Sequence, residues 1–155
     1  MTLRPALPDD AAAITALLHA AFAVQSVPTD PPSGALRETA ATIAAAIAAG
    51  GGAVAEQAGA IIGSVLWEEK DGGLYFGRLG VHPAHRRRGI AQVLVGEAEA
   101  EARRRGLGRV WLSTRLVLAD NRRLFAACGY AETTLGTHAG YSAPTSVTME
   151  KRLDR

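Results

Sequence analysis

The stretch from Leu79 to Ala91 constrains the fold of this chain more than any other. It reads Leu79-Gly80-Val81-His82-Pro83-Ala84-His85-Arg86-Arg87-Arg88-Gly89-Ile90-Ala91. A strand pattern ending at Val81 passes through a proline turn into three arginines and a glycine. That loop opens an amphipathic helix over about Gly89 to Arg105, with Ile90, Ala91, Leu94, Val95, Ala98 and Ala102 along one face. The first N–H groups of a helix lack internal partners, and the helix dipole adds positive potential there. Gly89 lets a ligand approach the backbone and permits an unusual φ. Three arginines at a helix start are unfavourable unless an anion offsets them, so a pyrophosphate is the natural guest. The loop is neither a dinucleotide fingerprint, lacking G-x-G-x-x-G, nor a Walker A loop, lacking Gly-Lys-Ser/Thr.

The surrounding pattern embeds this unit in one α/β domain. Thr2 to Ala6 predicts a first strand, and Asp9 or Asp10 caps a helix over about Ala11 to Ala23 with Ile14, Leu17, Leu18, Ala21 and Phe22 inward. Pro28, Pro31 and Pro32 make Gln25 to Gly34 a loop. A second helix is expected over about Ala35 to Ala49, with Leu36, Ala40, Ile43 and Ile47 buried and Gly50-Gly51-Gly52 ending it. Strands Ala53 to Gln57, Ala60 to Glu68 and Leu74 to Val81 form an antiparallel meander through turns at Ala58-Gly59 and Asp71-Gly72. Beyond the central helix come a strand from Arg109 to Thr114, a short helix from Asp120 to Gly129, and strands Tyr130 to Leu135 and Ser146 to Lys151. The order β-α-α-β-β-β-α-β-α-β-β predicts a mixed sheet with helices on both faces. Glu99/Arg103 and Glu101/Arg105 stand at the favourable (i, i+4) spacing.

At 155 residues the chain is expected to be a single domain over 1–155 with one core. The lone cysteine, Cys128, excludes an intrachain disulfide and any multi-cysteine metal site, and reads as core packing. No signal-peptide pattern and no apolar run of membrane-spanning length are read, so a soluble cytoplasmic protein without a membrane partner is expected. A formal net charge of +2 is too small to argue for nucleic acid. Arg86–Arg88 and Arg103–Arg105 would also stand about 25 Å apart on one helix with no stacking aromatics between them. No metal is expected.

Here the chain resembles the GNAT superfamily of GCN5-related N-acetyltransferases. Arg86-x-x-Gly89-x-Ala91 matches its Q/R-x-x-G-x-G/A signature, and Leu79-Gly80-Val81-His82-Pro83 looks like its fourth strand. Asp120-Asn121-x-x-Leu124-Phe125-x-x-Cys128-Gly129-Tyr130 is similar to its second signature. The resemblance implies a central, mostly antiparallel mixed sheet of about seven strands flanked by four helices, with a cofactor cleft between splayed strands. It implies acetyl-CoA as co-substrate, with no metal. Backbone of Leu79 and Val81 would pair with the pantetheine arm, as a peptide adds to a sheet edge. Backbone N–H groups across Arg86, Arg87, Arg88, Gly89, Ile90 and Ala91 would hold the pyrophosphate, and Arg86 and Arg87 would reach the 3′-phosphate. Asn121 would hydrogen-bond near the pantetheine, and Phe125 would pack beside the thioester. Gly80 suggests a bulge that parts this strand from the next.

The implied reaction is N-acetylation of a primary amine by direct attack on the acetyl-CoA thioester through a tetrahedral intermediate. It needs a base for the incoming ammonium and a donor for the oxyanion, for which the Leu79 or Val81 N–H is available. Phe125 stands where the family often has a tyrosine acid, so another residue supplies the proton or none is needed. Tyr141, in the loop His138-Ala139-Gly140-Tyr141, is the replacement candidate; Tyr75 is a second, acting through water, and Glu68 is a candidate base. His82, before a proline, reads as a capping residue. A catalytically degenerate CoA-binding sensor is the alternative reading. The acceptor, a small-molecule or peptide amine, is not specified by sequence. A homodimer is left open.

Overall fold

The computed structural model describes residues 1–24 and 27–153. Gln25 and Ser26, at the start of the expected proline loop, lie outside the described residues. Seven strands form one sheet: β1 (Thr2–Pro5), β2 (Gly52–Gln57), β3 (Ala60–Lys70), β4 (Gly73–Val81), β5 (Arg109–Arg115), β6 (Ala131–Gly136) and β7 (Ser146–Arg152). Four α-helices accompany them: α1 (Ala11–Ala23), α2 (Ala40–Ala49), α3 (Ile90–Arg104) and α4 (Ala119–Ala127). The sheet order is β1-β2-β3-β4-β5-β7-β6. Every pairing is antiparallel except β4 with β5.

Strand alternation sorts the side chains into two layers. Val54 and Leu66 bury against Ile14 and Leu18 of α1 and Ile43 and Ile47 of α2. Ala53, Ala55, Val65 and Trp67, their neighbours in sequence, bury instead with Ile90, Leu94 and Ala98 of α3 and Phe125 of α4. Helices therefore cover both faces, as the sequence predicts. Both tryptophans are buried, and the Trp111 indole N–H donates to the Lys70 carbonyl at 3.0 Å.

Three local expectations are corrected. Helix α2 begins at Ala40, not Ala35. Thr39 and Thr42 form a reciprocal cap, the Thr39 hydroxyl accepting from the Thr42 N–H at 3.2 Å and the Thr42 hydroxyl from the Thr39 N–H at 2.9 Å. Gly34–Arg37 forms a separate 3-10 turn, and Leu36 is exposed rather than buried. Glu99 does not pair with Arg103. It lies on the buried side of α3, where its carboxylate accepts from the Tyr130 hydroxyl at 2.9 Å and from Lys151 at 3.0 Å. The Glu101–Arg105 pair does form, at 2.7 Å.

The third correction concerns the bulge. Ser64 pairs with Gly80 and Leu66 with Gly77, so β4 spends one residue more than β3 between those pairs. The extra residue falls at Arg78–Leu79, not Gly80, and Arg78 takes a left-handed φ of 50°. Gly80 pairs regularly. Its missing side chain answers to packing, because a Cβ there would stand 3.0 Å from Cδ2 of the fully buried Leu18.

Candidate active site

The sheet splits where β4 meets β5. The two strands pair only at Leu74–Val110 and Tyr75–Trp111. Beyond Tyr75 they part, which leaves one edge of β4 without a strand partner. The His82 N–H donates to the Ile62 carbonyl on the β3 side. By strand alternation Gly80 also faces β3, so the backbone of Leu79 and Val81 faces the split.

A cavity of about 680 Å³ occupies the outer part of this split. Leu79, Gly80 and Val81 line it from β4. Arg86, Arg87, Gly89, Ile90 and Ala91 line it from the loop and α3, and Asn121 and Phe125 from α4. Of the ten residues expected to hold a cofactor, Arg88 alone does not line it; its guanidinium lies 3.2 Å from the His85 Nδ1. Gly89 caps α3 with φ 76° and Arg87 has φ 63°. These left-handed turns lead into α3, whose first-turn residues Ile90, Ala91 and Gln92 line the cavity and carry amides unused within the helix. His82 caps the preceding turn, its Nδ1 accepting from the Ala84 N–H at 3.1 Å.

The arginines divide their work in a way the sequence does not show. The Arg86 guanidinium donates to the Ala21 carbonyl at 2.8 Å and the Val24 carbonyl at 3.0 Å. It caps the C-terminal end of α1, while Arg86 also lines the cavity. Arg87 makes no such bond among the described residues and is exposed at the cavity.

A second cavity, of about 390 Å³, lies inward along the split. Phe22, Leu79, Leu118, Asn121 and Phe125 line both, so the two spaces meet there. Phe125 is buried and packs edge-on to Phe76 and Tyr130, with ring centroids 5.9 Å and 6.4 Å away. The inner cavity also receives Tyr75, Arg37, Arg78, Arg115 and His138. Burial, first, pushes the Tyr75 phenol up from its ordinary value, so it stays protonated as a donor. The Tyr75 ring packs on Trp111 at 4.7 Å.

The structure does not bring the other candidate acid and base to the split. Tyr141 lines neither cavity; its hydroxyl donates to the Asp30 carboxylate at 2.6 Å and so ties its loop to the proline loop. Glu68 is exposed at the far end of β3 and lines neither cavity. Sequence reading missed His138, whose Nδ1 hydrogen-bonds the Thr145 hydroxyl, together with Arg37, Arg78 and Arg115. The position of Arg78, next to the strand run at Leu79, was a usable signal. Arg37 and Arg115 carried none. Among the described residues no cluster of three or more His, Cys, Asp or Glu is placed to hold a metal. Nor is any described helix long and apolar enough to cross a membrane.

A mixed sheet split between two parallel strands, with an arginine–glycine loop and a helix N-terminus at the split, makes a cleft suited to an extended anionic ligand. Residues 15–130 match the acetyltransferase (GNAT) family, and the chain belongs to it. The fold is similar to that of yncA from Salmonella typhimurium, solved with its cofactor acetyl-CoA. The two are 25% identical, with a TM-score of 0.74, over 100% of this chain and 95% of that one. It is also similar to the ribosomal-protein-S18-alanine N-acetyltransferase of Escherichia coli, at 17% identity and a TM-score of 0.81, over 99% and 94% of the two chains. An aminoglycoside 6′-N-acetyltransferase complexed with coenzyme A gives 15% identity and a TM-score of 0.79, over 100% and 98%. No curated protein matches the sequence. Acetyl-CoA is the family's co-substrate.

Proposed function

We propose that this chain, as one acetyltransferase domain, transfers an acetyl group from acetyl-CoA to a primary amine. The observation that carries this reading is the pair of joined cavities in the split sheet. One is lined by the arginine–glycine loop, the start of α3 and the free edge of β4, and the other by Tyr75 and His138. Acetyl-CoA supplies an acyl group already activated as a thioester. First-turn amides of α3 hold its pyrophosphate, with Arg87 adding charge. The free edge of β4 at Leu79 and Val81 pairs with the pantetheine, Asn121 bonds beside it, and Phe125 walls off water where the cavities meet.

An acceptor in the inner cavity meets the thioester carbonyl at that junction. A base takes one proton from the ammonium and the C–N bond forms. As the tetrahedral intermediate collapses the C–S bond breaks, the nitrogen sheds a second proton, the thiolate takes up one proton, and one proton is released in net. His138 is the lining side chain of the kind that serves as general base, and among the described residues none that lines the inner cavity is a carboxylate. Tyr75, kept protonated by burial, can donate a hydrogen bond to the departing sulfur. The thiolate also leaves tolerably without help, since a thiol is a moderately strong acid at about 8.5. A backbone N–H at Leu79 or Val81 supports the carbonyl oxygen. The test is calorimetric titration with acetyl-CoA of the parent protein and of an Arg87→Glu, Gly89→Asp variant, followed by an amine screen. Binding by the parent, lost in the variant, and acetylated product by mass spectrometry are expected. Absence of binding up to millimolar acetyl-CoA overturns the reading, and binding without turnover of any amine would instead make the chain a CoA sensor.

A further inference from the structure

We propose that the acceptor is a small amine bearing its own oxyanion, an amino acid or a close analogue, whose anionic end is held by Arg37, Arg78 and Arg115. This rests on the acetyltransferase reading and narrows its acceptor. Three guanidinium groups line the inner cavity, from three separate elements. Arg37 comes from the 3-10 turn after the proline loop, Arg78 from the β4 bulge and Arg115 from the end of β5.

The groups converge. A Cβ at Gly34 would stand 3.2 Å from Nη2 of Arg78 and 3.5 Å from Nη2 of Arg37, so these two tips approach within about 7 Å of each other beside Gly34. Arg115 is held by donating to the carbonyls of Pro31 and Pro32, the latter at 3.2 Å. Burial, and then the charge of Arg37, push its guanidinium below its ordinary value, which puts Arg37 and Arg115 within electrostatic reach of each other. Compensation is partial. Glu38 lies 3.5 Å from Arg78, and Asp30, which faces Arg115, already accepts the Tyr141 hydroxyl. Neither carboxylate lines the cavity, and Arg37 has no ion-pair partner among the described residues.

An amine arrives in water as an ammonium ion. Such a cavity repels a plain cation, and repulsion excludes partners as firmly as attraction selects them. An acceptor with its own carboxylate, phosphonate or sulfonate reverses that sign, because guanidinium forks bind planar oxyanions through paired hydrogen bonds. Size points to a small molecule. The cavity is about 390 Å³, and the Tyr141–Asp30 bond joins the two loops whose Pro31, Pro32 and His138 wall it.

The experiment measures kcat/KM with acetyl-CoA for matched sets: free amino acids, their C-terminal amides, tripeptides with the same first residue, and spermidine. Free acids should exceed their amides by about 100-fold, the order expected for losing a charge-assisted hydrogen-bonded pair. Arg37→Glu and Arg78→Gln should bring the ratio to within about threefold, losing rate on the free acid and, as repulsion of a plain cation is relieved, not lowering the amide rate. Arg37 is exposed and its side chain bonds to nothing else described, so Arg37→Glu should keep the parent melting temperature. Amides, tripeptides or spermidine acetylated as well as free acids would overturn the proposal. So would variants that lower both members of a pair equally, or acetyl-CoA binding with turnover of no free acid. Each of these leaves the acetyltransferase reading standing as long as some amine is acetylated; failure of the parent to bind acetyl-CoA, or binding without turnover of any amine, removes both.

Discussion

Replacing Arg78 separates a backbone effect from a side-chain effect at one position. Its φ of 50° is left-handed, where a Cβ crowds the following carbonyl and costs about 1–2 kcal/mol. Glycine escapes that crowding but gains about 0.4–1 kcal/mol of freedom in the unfolded chain. Arg78→Gly should therefore be more stable than Arg78→Ala by about 1 kcal/mol. At an ordinary strand position the order is the reverse, glycine being worse by about 0.5–1 kcal/mol. The comparison cancels the loss of the Glu38 ion pair at 3.5 Å, which both variants share. Urea unfolding of the two proteins gives the difference directly, and thermal melts should differ by about 2–4 °C for a chain of this size. Alanine equal to or better than glycine would refute the bulge at this residue. Both variants should lose preference for an anionic acceptor equally, since both lack the guanidinium.

The loop arginines should separate in the same manner. Arg86→Ala removes two hydrogen bonds to α1 and should lower stability by about 1–2 kcal/mol in urea, whereas Arg87→Ala should leave stability unchanged and weaken acetyl-CoA binding by about tenfold in calorimetry. Tyr130 should contribute to alkaline unfolding. Burial, and then the Glu99 carboxylate, raise its phenol above the ordinary 10.0, so its stabilisation is complete below pH 10 and lost as pH rises beyond it. Tyr130→Phe should cost about 1–2 kcal/mol near neutral pH, through the lost bond to Glu99, and show a shallower fall of stability above pH 10 in urea titrations. Tyr75→Phe should lower kcat by about 10–100-fold with little change in KM, and His138→Ala should lose about 100-fold in kcat/KM, partly restored by added imidazole in steady-state assays. No rescue and no rate loss would remove the residue concerned from the proton path.

The local parts of this protein were legible in its sequence because short-range physics specifies them. Strand–arginine–glycine–helix order, the alternation along β2 to β4 and the stripe on α3 each depend on neighbours a few residues apart, and the cavity-lining run from Leu79 to Ala91 came with them. The capping pair Thr39/Thr42 was equally local and marks the true start of α2. Tertiary structure alone decided what depends on distant partners. It placed β7 between β5 and β6, since strand order follows from packing rather than pattern. It turned Glu99 inward toward Tyr130 and Lys151, and it bound Arg86 to the end of α1, 65 residues away along the chain. It set the bulge at Arg78, because the register with β3, not the presence of a glycine, determines where the extra residue falls. And it drew Arg37, Arg78 and Arg115 into one cavity: charges far apart in sequence meet only where the sheet splits, and no periodicity within a strand or helix encodes that meeting.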